Sequence, residues 1–491
     1  MSFLFLFCEK SFFTKGVEHN LRITYFSNSQ RFLYDFQHII RAFYPGAEVK
    51  FGHGGDIHFE AYFEETKVFL KFQTQDKIIQ KDFVLVSDEH ESKRIFGRNL
   101  YDLLKQETKR ELPWGILTGI RPTKILYPLL EQELNDEQIY NFLQKEYYIS
   151  EKKSKLLLKV AKNEMNILSK LEPSSACLYI GIPICPTRCL YCSFSCHEMT
   201  RQVKSLIGMY TDSLICELEK TYQKIKESKN KIVAVYFGGG CPAVIGIENI
   251  KKIFTSLFEN LEKDHIREIT FEAGRPDTIG EKLLQYLAEI NHDLNVRFCI
   301  NPQTSNDNTL KIIGRNHTFE DIKRAFAQAY EYGFKNINSD VILGLPGEDE
   351  NDYKKTIEDV LKLSPASITI HTLSIKRASL LRFKWNEYEF MDKETVNNLL
   401  DWTQYILEEH GYIPYYMYRQ KNMIGNFENV GYCKRGFEGL YNVMIMQEKH
   451  NIYACGAKAV SKFVYEGDKI ERVFNPADIK LYISRMLNIE V

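Results

Sequence analysis

From Leu178 to about His371, strand-length apolar stretches alternate with helical patterns, and no other feature of the sequence restricts the fold so strongly. The strands expected are Leu178–Pro183, Ile232–Phe237, Glu268–Glu272, Val296–Ile300, Asn336–Leu343 and Ser367–His371. Between them lie helical patterns at Gln202–Lys226, Ile247–Leu261, Ile279–Ile290, Phe319–Tyr332 and Glu350–Leu363. Strands that alternate with helices form a parallel sheet. Parallel strands are buried on both faces, and the runs IVAVYF and ITIH are apolar enough for that. Six such units fall short of the eight that close a barrel, so the expectation is an α/β fold built on a partial (β/α)6 TIM-like barrel, with its chemistry at the C-terminal ends of the strands.

The first of those ends carries Cys185, Cys189 and Cys192, spaced Cys-x3-Cys-x2-Cys. Pro186, Thr187 and Arg188 read as loop, and a loop can curl three thiolates round one point. Three thiolates suit an iron–sulfur cluster. A cubane has four irons, so three cysteines leave one corner open to a small molecule, as in an open catalytic metal site. The alternative is structural zinc with His197 or Cys196 as fourth ligand, but such sites usually show two separated ligand pairs. The other strand ends bring Gly238-Gly239-Gly240-Cys241-Pro242, Glu272, Gln303 with Arg315 a helix later, Asp340, and His371. Singly, a glycine turn only turns, and Glu272 or Asp340 could form an ion pair with Arg315. On one rim beside three cysteines, they form a set of carboxylates, one Arg and bare backbone that suits a zwitterionic amino acid joined to a nucleoside.

Lys and Arg number 64 and Asp and Glu 65 in 491 residues, which leaves no global field to draw in nucleic acid. The eleven cysteines are odd in number. Apart from the cluster, most (Cys8, Cys177, Cys216, Cys299, Cys455) lie in apolar surroundings, which suggests a reducing, cytoplasmic setting. The opening MSFLFLFCEK is too short to span a membrane and lacks a cleavage site, so it reads as a buried strand, with no membrane insertion expected.

Residues 1–90 read as a small α/β domain. A helix at Arg31–Phe43 ends before Pro45-Gly46, and a meander follows at Glu48–Phe51, Asp56–Tyr62 and Val68–Phe72. His53 and His58 could be ligands there, but turn and strand-face histidines with no partner nearby are usually structural, and they are read so. Residues 91–173 read as a helical region (Ser92–Leu112, Thr123–Gln132, Asp136–Glu146, Glu151–Leu171), in which Thr123 is expected to cap a helix and Arg121 and Lys124 offer an alternative anion site. Residues 174–375 form the barrel, and 376–491 an α+β region covering the substrate. That last region has a helix at Glu394–His410, then Tyr415–Lys421, a loop punctuated by Gly425, Gly431, Gly436 and Gly439, and strands at Gly439–Met446 and Asn451–Ala454.

The cysteine spacing, with Tyr191 just before the last ligand, resembles the cluster motif of radical S-adenosylmethionine (SAM) enzymes. The strings LTGIRPTK, YIGIPICPTRCLYCSF, YFGGG, FEAGRPDTI, INPQTSNDNTLKIIGRNHT, NINSDVILGLPGE, IKRAS, YYMYRQKNMIGNFENVGY and GLYNVMIM resemble the oxygen-independent coproporphyrinogen III oxidase family, and most closely its HemZ-type dehydrogenase branch. The resemblance implies that Cys185, Cys189 and Cys192 ligate a 4Fe-4S cluster whose open iron chelates SAM. An electron from the cluster would then split SAM into methionine and a 5′-deoxyadenosyl radical. It further implies SAM contacts at Tyr179, Gly239, Gly240, Cys241, Glu272, Gln303, Arg315 and Asp340, with Tyr191 near a second SAM. The implied partners are a tetrapyrrole substrate, a flavodoxin- or ferredoxin-type electron donor and an electron acceptor of unknown kind. The implied activity is decarboxylation of coproporphyrinogen III to protoporphyrinogen IX; the alternatives are a haem chaperone that keeps the cluster and a radical SAM enzyme acting on another substrate. Three departures stand out. Ser193-Phe194 follow Cys192 where the established oxidases carry a fourth cysteine, Cys241 stands in place of a threonine, and Lys458 occupies a turn where small residues are usual. Tyr and Met side chains of the last region, with Lys376, Arg377, Arg419 and Lys421, would suit an apolar plate edged with carboxylates.

Overall fold

The computed structural model describes residues 21–44, 47–194, 196–376, 378–419 and 427–490. The expected strand within MSFLFLFCEK, Cys8, Pro45-Gly46, Arg377, Lys421 and Gly425 lie outside the described residues. The chain divides into two compact units, in the main residues 1–159 and 160–491.

The first unit begins with β1 (Arg22–Ser27), α1 (Leu33–Phe43), β2 (Glu48–Phe51), β3 (Ile57–Glu64), β4 (Lys67–Gln73), β5 (Ile78–Val84) and α2 (Glu89–Thr108). Its sheet runs β2-β1-β3-β4-β5. Strand β1 lies parallel to both neighbours, so the strands do not form the simple meander expected. The apolar stripes of α1 (Phe36, Ile39, Ile40, Phe43) and α2 (Phe96, Leu100, Leu103, Leu104) share a core with Ile23, Tyr25, Phe59, Ala61, Leu70 and Phe72. Side chains alternate along a strand, so Thr24, His58, Glu60 and Lys71 fall on the opposite face. Asp88 starts α2 by accepting the Glu91 N–H.

The helix expected over Thr123–Gln132 is broken into a 3-10 turn, Pro122–Ile125, and α3 (Tyr127–Glu131). Pro122 and Pro128 have no N–H to give and each opens a short new turn. Thr123 is therefore buried inside the first turn, and the residues that open the two turns are Arg121 and Leu126. Next come α4 (Asp136–Tyr147), begun by a reciprocal Asn135–Gln138 capping box, and α5 (Glu151–Leu168).

The second unit takes in the latter half of α5 and continues with β6 (Ser175–Gly181), the two-residue strands β7 (Ile184–Cys185) and β8 (His197–Glu198), and α6 (Arg201–Glu227). Then β9 (Lys231–Gly238), α7 (Ile247–Asn260), β10 (Glu268–Gly274), α8 (Glu281–Asp293), β11 (Val296–Ile300), α9 (Asp307–Ile312), α10 (Phe319–Glu331), β12 (Ile337–Leu343), α11 (Glu350–Lys362) and β13 (Ser367–Thr372) alternate as expected. The remainder is α12 (Leu381–Lys384), α13 (Lys393–Glu409), β14 (Ile413–Arg419), β15 (Glu428–Cys433), α14 (Leu440–Gln447), β16 (Ile452–Cys455), β17 (Val460–Tyr465), β18 (Lys469–Phe474) and α15 (Ile479–Leu487).

Strands β6, β9, β10, β11, β12 and β13 are neighbours in chain order and all parallel, which gives the six-unit partial barrel. Its edges are extended by β16, parallel on β6, and by β15, antiparallel on β13. Two local expectations fail here. Gly431 lies inside β15 rather than in a loop, because a Cβ there would sit 1.8 Å from the Tyr416 ring. The run Gly439–Met446, expected as a strand, is α14. Its start is fixed by the Glu268 carboxylate of β10, which accepts the N–H groups of Leu440 and Tyr441 at 2.9 and 3.3 Å. A short run that is apolar apart from Asn442 has no readable period, so a contact 172 residues away in sequence decides its state.

Candidate functional site at the rim of the parallel sheet

The cysteine loop is pinned at both ends. Strand β7 pairs in parallel with β8, and the His197 and Met199 N–H groups bond to the Pro183 and Cys185 carbonyls at 2.8 and 2.9 Å. Between these ends the loop is held by distant segments. Leu190 N–H donates to the Ile313 carbonyl at 2.9 Å, Thr187 Oγ1 to the Gly314 carbonyl at 3.0 Å, and Arg275 Nη1 to Thr187 Oγ1 at 2.7 Å. Asp277 grips the same guanidinium from two sides at 3.0 and 2.8 Å. Gly240 is required by the loop itself: a Cβ there would lie 2.5 Å from the Ile184 carbonyl oxygen and 2.7 Å from its nitrogen. The cysteines are thus positioned by β10, the segment before Arg315, and the glycine turn after β9.

Cys185, Cys189, Cys192, Cys196 and Cys241 all border one cavity of about 680 Å³. All five carry free thiols. Cys196 stands between two of the expected ligands. Its hydrogen bond, ahead of burial, pushes the Cys185 thiol up to about 12, and its bond to Cys192 holds that thiol below the ordinary value. It also donates to the Gly239 carbonyl at 2.9 Å. His197, weighed with it as a ligand, does not border the cavity, and its Nε2 lies 3.4 Å from the Ala477 carbonyl.

The remaining expected residues line the same cavity. Tyr179 of β6 stacks against Tyr236, with ring centroids 5.9 Å apart, and Tyr191 is half-buried in the wall. Glu272 of β10 accepts from Tyr236 OH and, at 3.2 Å, from Asn301 Nδ2. Asp340 of β12 accepts from Asn338 Nδ2 at 2.9 Å and lies 3.8 Å from His371 Nε2. Burial, and then the charge of Asp340, pushes Glu272 up. Burial also acts to raise Asp340, but the bond and charge of His371 outweigh it and hold that carboxyl down. Two neighbouring carboxyls are thereby driven apart in acidity. Among the described residues neither forms an ion pair with Arg315. That guanidinium is buried against Cys189, Tyr191 and Cys241 and donates to the Asn301 carbonyl.

Gln303 sits at φ 68, a strained position for a side-chain-bearing residue. Strand β12 holds it there: its N–H donates to the Asp340 carbonyl at 2.9 Å, and its carbonyl accepts from Ile342 at 3.0 Å. Arg315 Nε, Gln303 Oε1 and Asn301 Oδ1 are buried at the cavity without a hydrogen-bond partner among the described residues. A buried donor and two buried acceptors left open suit a ligand carrying both ammonium and carboxylate. With a ring of free thiols beside them, the donor set fits both the cluster and SAM.

Sequence reasoning missed Arg275 and Arg297. Arg275 lies in FEAGRPDTI, but its Thr187 contact is tertiary. Arg297 is buried in β11, donates to Asn338 Oδ1 at 2.5 Å, and borders the cavity. A lone charge in an apolar strand was the signal available. Of the side chains proposed for a carboxylate-edged plate, Lys376 borders the cavity. Arg419 does not; it is buried opposite Glu428 in the β14–β15 pair. Lys458 is also at the cavity, and its charge acts on Lys376.

A six-unit parallel sheet with a Cys-x3-Cys-x2-Cys loop after its first strand defines a radical SAM protein, and the radical SAM superfamily model matches residues 179–360. HemZ of Bacillus subtilis, described as an oxygen-independent coproporphyrinogen-III oxidase-like protein, is 39% identical over 78% of this chain and 77% of its own. The chain belongs to the oxygen-independent coproporphyrinogen III oxidase family of radical SAM proteins, in the branch of HemZ. The haem chaperone HemW of Lactococcus lactis is 26% identical over 59% of this chain and 69% of its own. The structure of coproporphyrinogen III oxidase HemN from Escherichia coli shares the fold, with a TM-score of 0.51 and 19% identity over 67% of this chain and 72% of its own. Radical SAM proteins use a 4Fe-4S cluster and SAM. No helix among the described residues is long and apolar enough to cross a membrane.

Proposed function

We propose that this protein oxidatively decarboxylates two propionates of coproporphyrinogen III to vinyl groups, giving protoporphyrinogen IX. Each conversion removes one hydrogen atom from the propionate β-carbon, releases carbon dioxide, and passes one electron to an acceptor. When bound, the cluster and SAM supply the radical oxidant. Cys185, Cys189 and Cys192 would hold the cluster. Arg315 and the two carboxylates, Glu272 and Asp340, would bind the charged ends and ribose of SAM; Tyr179, Gln303, Gly239, Gly240 and Cys241 would complete its pocket, with Tyr191 placed for a second SAM. A flavodoxin- or ferredoxin-type protein would deliver the reducing electron.

The observation that carries the substrate assignment is the charge pattern of the cavity. Lys376 and Lys458 both border it, and the charges of Lys458 and Cys192 act on Lys376, so a bound propionate would be drawn toward the cysteines. Burial, and the charge of Lys458, hold the Lys376 ammonium below its ordinary value. Tyr416, Tyr418, Tyr441 and Met446 form an apolar wall suited to the tetrapyrrole. Lys458 thus turns a departure from the family pattern into a substrate contact.

The haem-carrier reading is favoured by Ser193-Phe194, with Phe194 63% exposed at the cavity. Anaerobic reconstituted protein with SAM, reductant and coproporphyrinogen III separates the two. The expected result is substrate-stimulated SAM cleavage with carbon dioxide release. Tight stoichiometric haem binding without carbon dioxide would establish the carrier.

A further inference from the structure

Strand β3 and the turn before it bring three potential ligands of a metal ion together in the first unit. His53 Nδ1 lies 3.1 Å from His58 Nε2, and His58 Nε2 lies 3.0 Å from Glu60 Oε1. The third side of the triangle, from His53 Nδ1 to Glu60 Oε1, is 3.9 Å. Ligands bound tetrahedrally at about 2.0–2.1 Å stand roughly 3.3–3.4 Å apart. The three separations bracket that value, as one face of a tetrahedron requires.

The sequence builds the triangle by simple rules. His58 and Glu60 are two apart on β3 and so project from one face. Thr24 pairs with His58 and Lys71 with Glu60 on the flanking strands. His53 is returned over that face by its glycine neighbours, Gly52 at φ 133 and Gly54 at φ 89. A Cβ on Gly55 would lie 2.7 Å from the Arg22 carbonyl oxygen, so the turn can press this closely against β1 only as glycine. The His53 ring rests on Phe26, with centroids 4.7 Å apart.

The supporting contacts are those of a ligand set. Thr24 Oγ1 stands 2.7 Å from His58 Nδ1 and also accepts the Gly55 N–H at 3.1 Å. That contact orients the His58 ring with Nε2 toward the triangle, as outer contacts commonly orient metal-bound histidine. Lys71 Nζ reaches Glu60 through the other oxygen, Oε2, at 3.3 Å, and leaves Oε1 to the two imidazoles. A single proton on His58 Nε2 can point at His53 or at Glu60 but not at both. One cation would engage all three atoms at once. His58 and Glu60 are recessed, with side chains 12% and 15% exposed, while His53 at 59% leaves the fourth position open to water.

We propose that His53, His58 and Glu60 form a binding site for a divalent transition-metal ion of the zinc class, with an exchangeable fourth ligand. Two imidazoles and a single carboxylate favour such an ion over calcium or magnesium, which prefer all-oxygen shells.

The test uses full-length protein with its iron–sulfur cluster loaded, titrated anaerobically with Zn2+ against a chromophoric chelator. The expected result is one zinc per chain beyond the iron, and a rise in melting temperature with zinc. His58→Gln and Glu60→Gln should each weaken zinc binding by more than tenfold, and Thr24→Val, which frees the His58 ring, by about ten- to a hundredfold. His53→Ala changes an exposed turn residue and should lose zinc while keeping the metal-free melting temperature and the iron content. Cobalt(II) in the site should lack sulfur-to-metal charge-transfer bands. Zinc stoichiometry and affinity unchanged in His53→Ala and Glu60→Gln, cobalt spectra with thiolate bands, or no zinc uptake by the cluster-loaded wild type would each overturn the proposal.

Discussion

In the five-stranded sheet, Thr24, His58, Glu60 and Lys71 meet because they are cross-strand neighbours, and only a short glycine turn is needed to add His53. In the parallel sheet, Tyr179, Glu272, Gln303, Asp340 and His371 meet although helices separate them along the chain. Adjacent strands that pair locally gather residues from a narrow stretch of sequence. A parallel sheet gathers residues from its whole length, because every strand must end on the same side. Its site is accordingly larger and draws on more elements, and each element can be removed separately.

The largest effect expected is on the thiols. Cys185→Ala, Cys189→Ala or Cys192→Ala should remove most of the iron from anaerobically purified protein, and the triple variant nearly all of it. Full iron and sulfide in the triple variant would sink the cluster assignment. None of these changes should alter zinc binding in the first unit, which keeps the comparison between the two sites clean.

Next come the far strands. Arg315→Ala and Asp340→Ala should leave iron content unchanged but weaken SAM by about ten- to a hundredfold, the worth of a charge-assisted contact of roughly 1.5–3 kcal/mol. Equilibrium binding of SAM to cluster-loaded protein measures this. Wild-type affinity in both variants would make these residues architectural.

Gly240→Ala tests whether the glycine turn positions the cysteine strand. Its Cβ would meet backbone atoms of Ile182 and Ile184 at 2.5–2.8 Å, so the strand must shift, at a cost of about 1–3 kcal/mol. The expected readout is a lower melting temperature together with poorer cluster retention. A stable variant with full iron would show that β7 moves freely.

The smallest effect depends on pH. Burial pushes Glu348, behind the rim, up to about 7 from the 4.5 of a free side chain, and its Oε2 has no partner among the described residues. The folded state therefore holds this proton more tightly than the unfolded one. Stability falls as pH rises from about 4.5 to about 7 and stays reduced above that. Glu348→Gln should melt higher than wild type at pH 8, by an amount on the order of 1–3 kcal/mol, and the gain should vanish toward pH 4. A difference that does not vary with pH would mean the carboxylate is paired and charged throughout.

Much of the site was legible because its chemistry is carried by residue types that a core does not need. Three cysteines in a loop, a glycine triplet, and acids at the ends of apolar strands stand out against IVAVYF and ITIH wherever they occur. The alternation of two periods likewise named the six parallel strands and their order. Less was legible where one residue's state depends on a distant partner. Arg297, Arg275 and Cys196 owe their roles to contacts with Asn338, with Thr187, and with Cys185 and Cys192.

The sequence by itself determined the parallel sheet, the cysteine loop and the strand ends on which the rim is built, because periodicity and side-chain chemistry are local properties. Only the tertiary structure decided that Gly439–Met446 is helical, since the run is apolar apart from Asn442 and Glu268 caps it from another strand. Only the structure decided that Lys458 and Lys376 border one cavity, and that His53 folds back onto His58 and Glu60. Each of these depends on where two segments meet in space, and the pattern within either segment carries no record of the other.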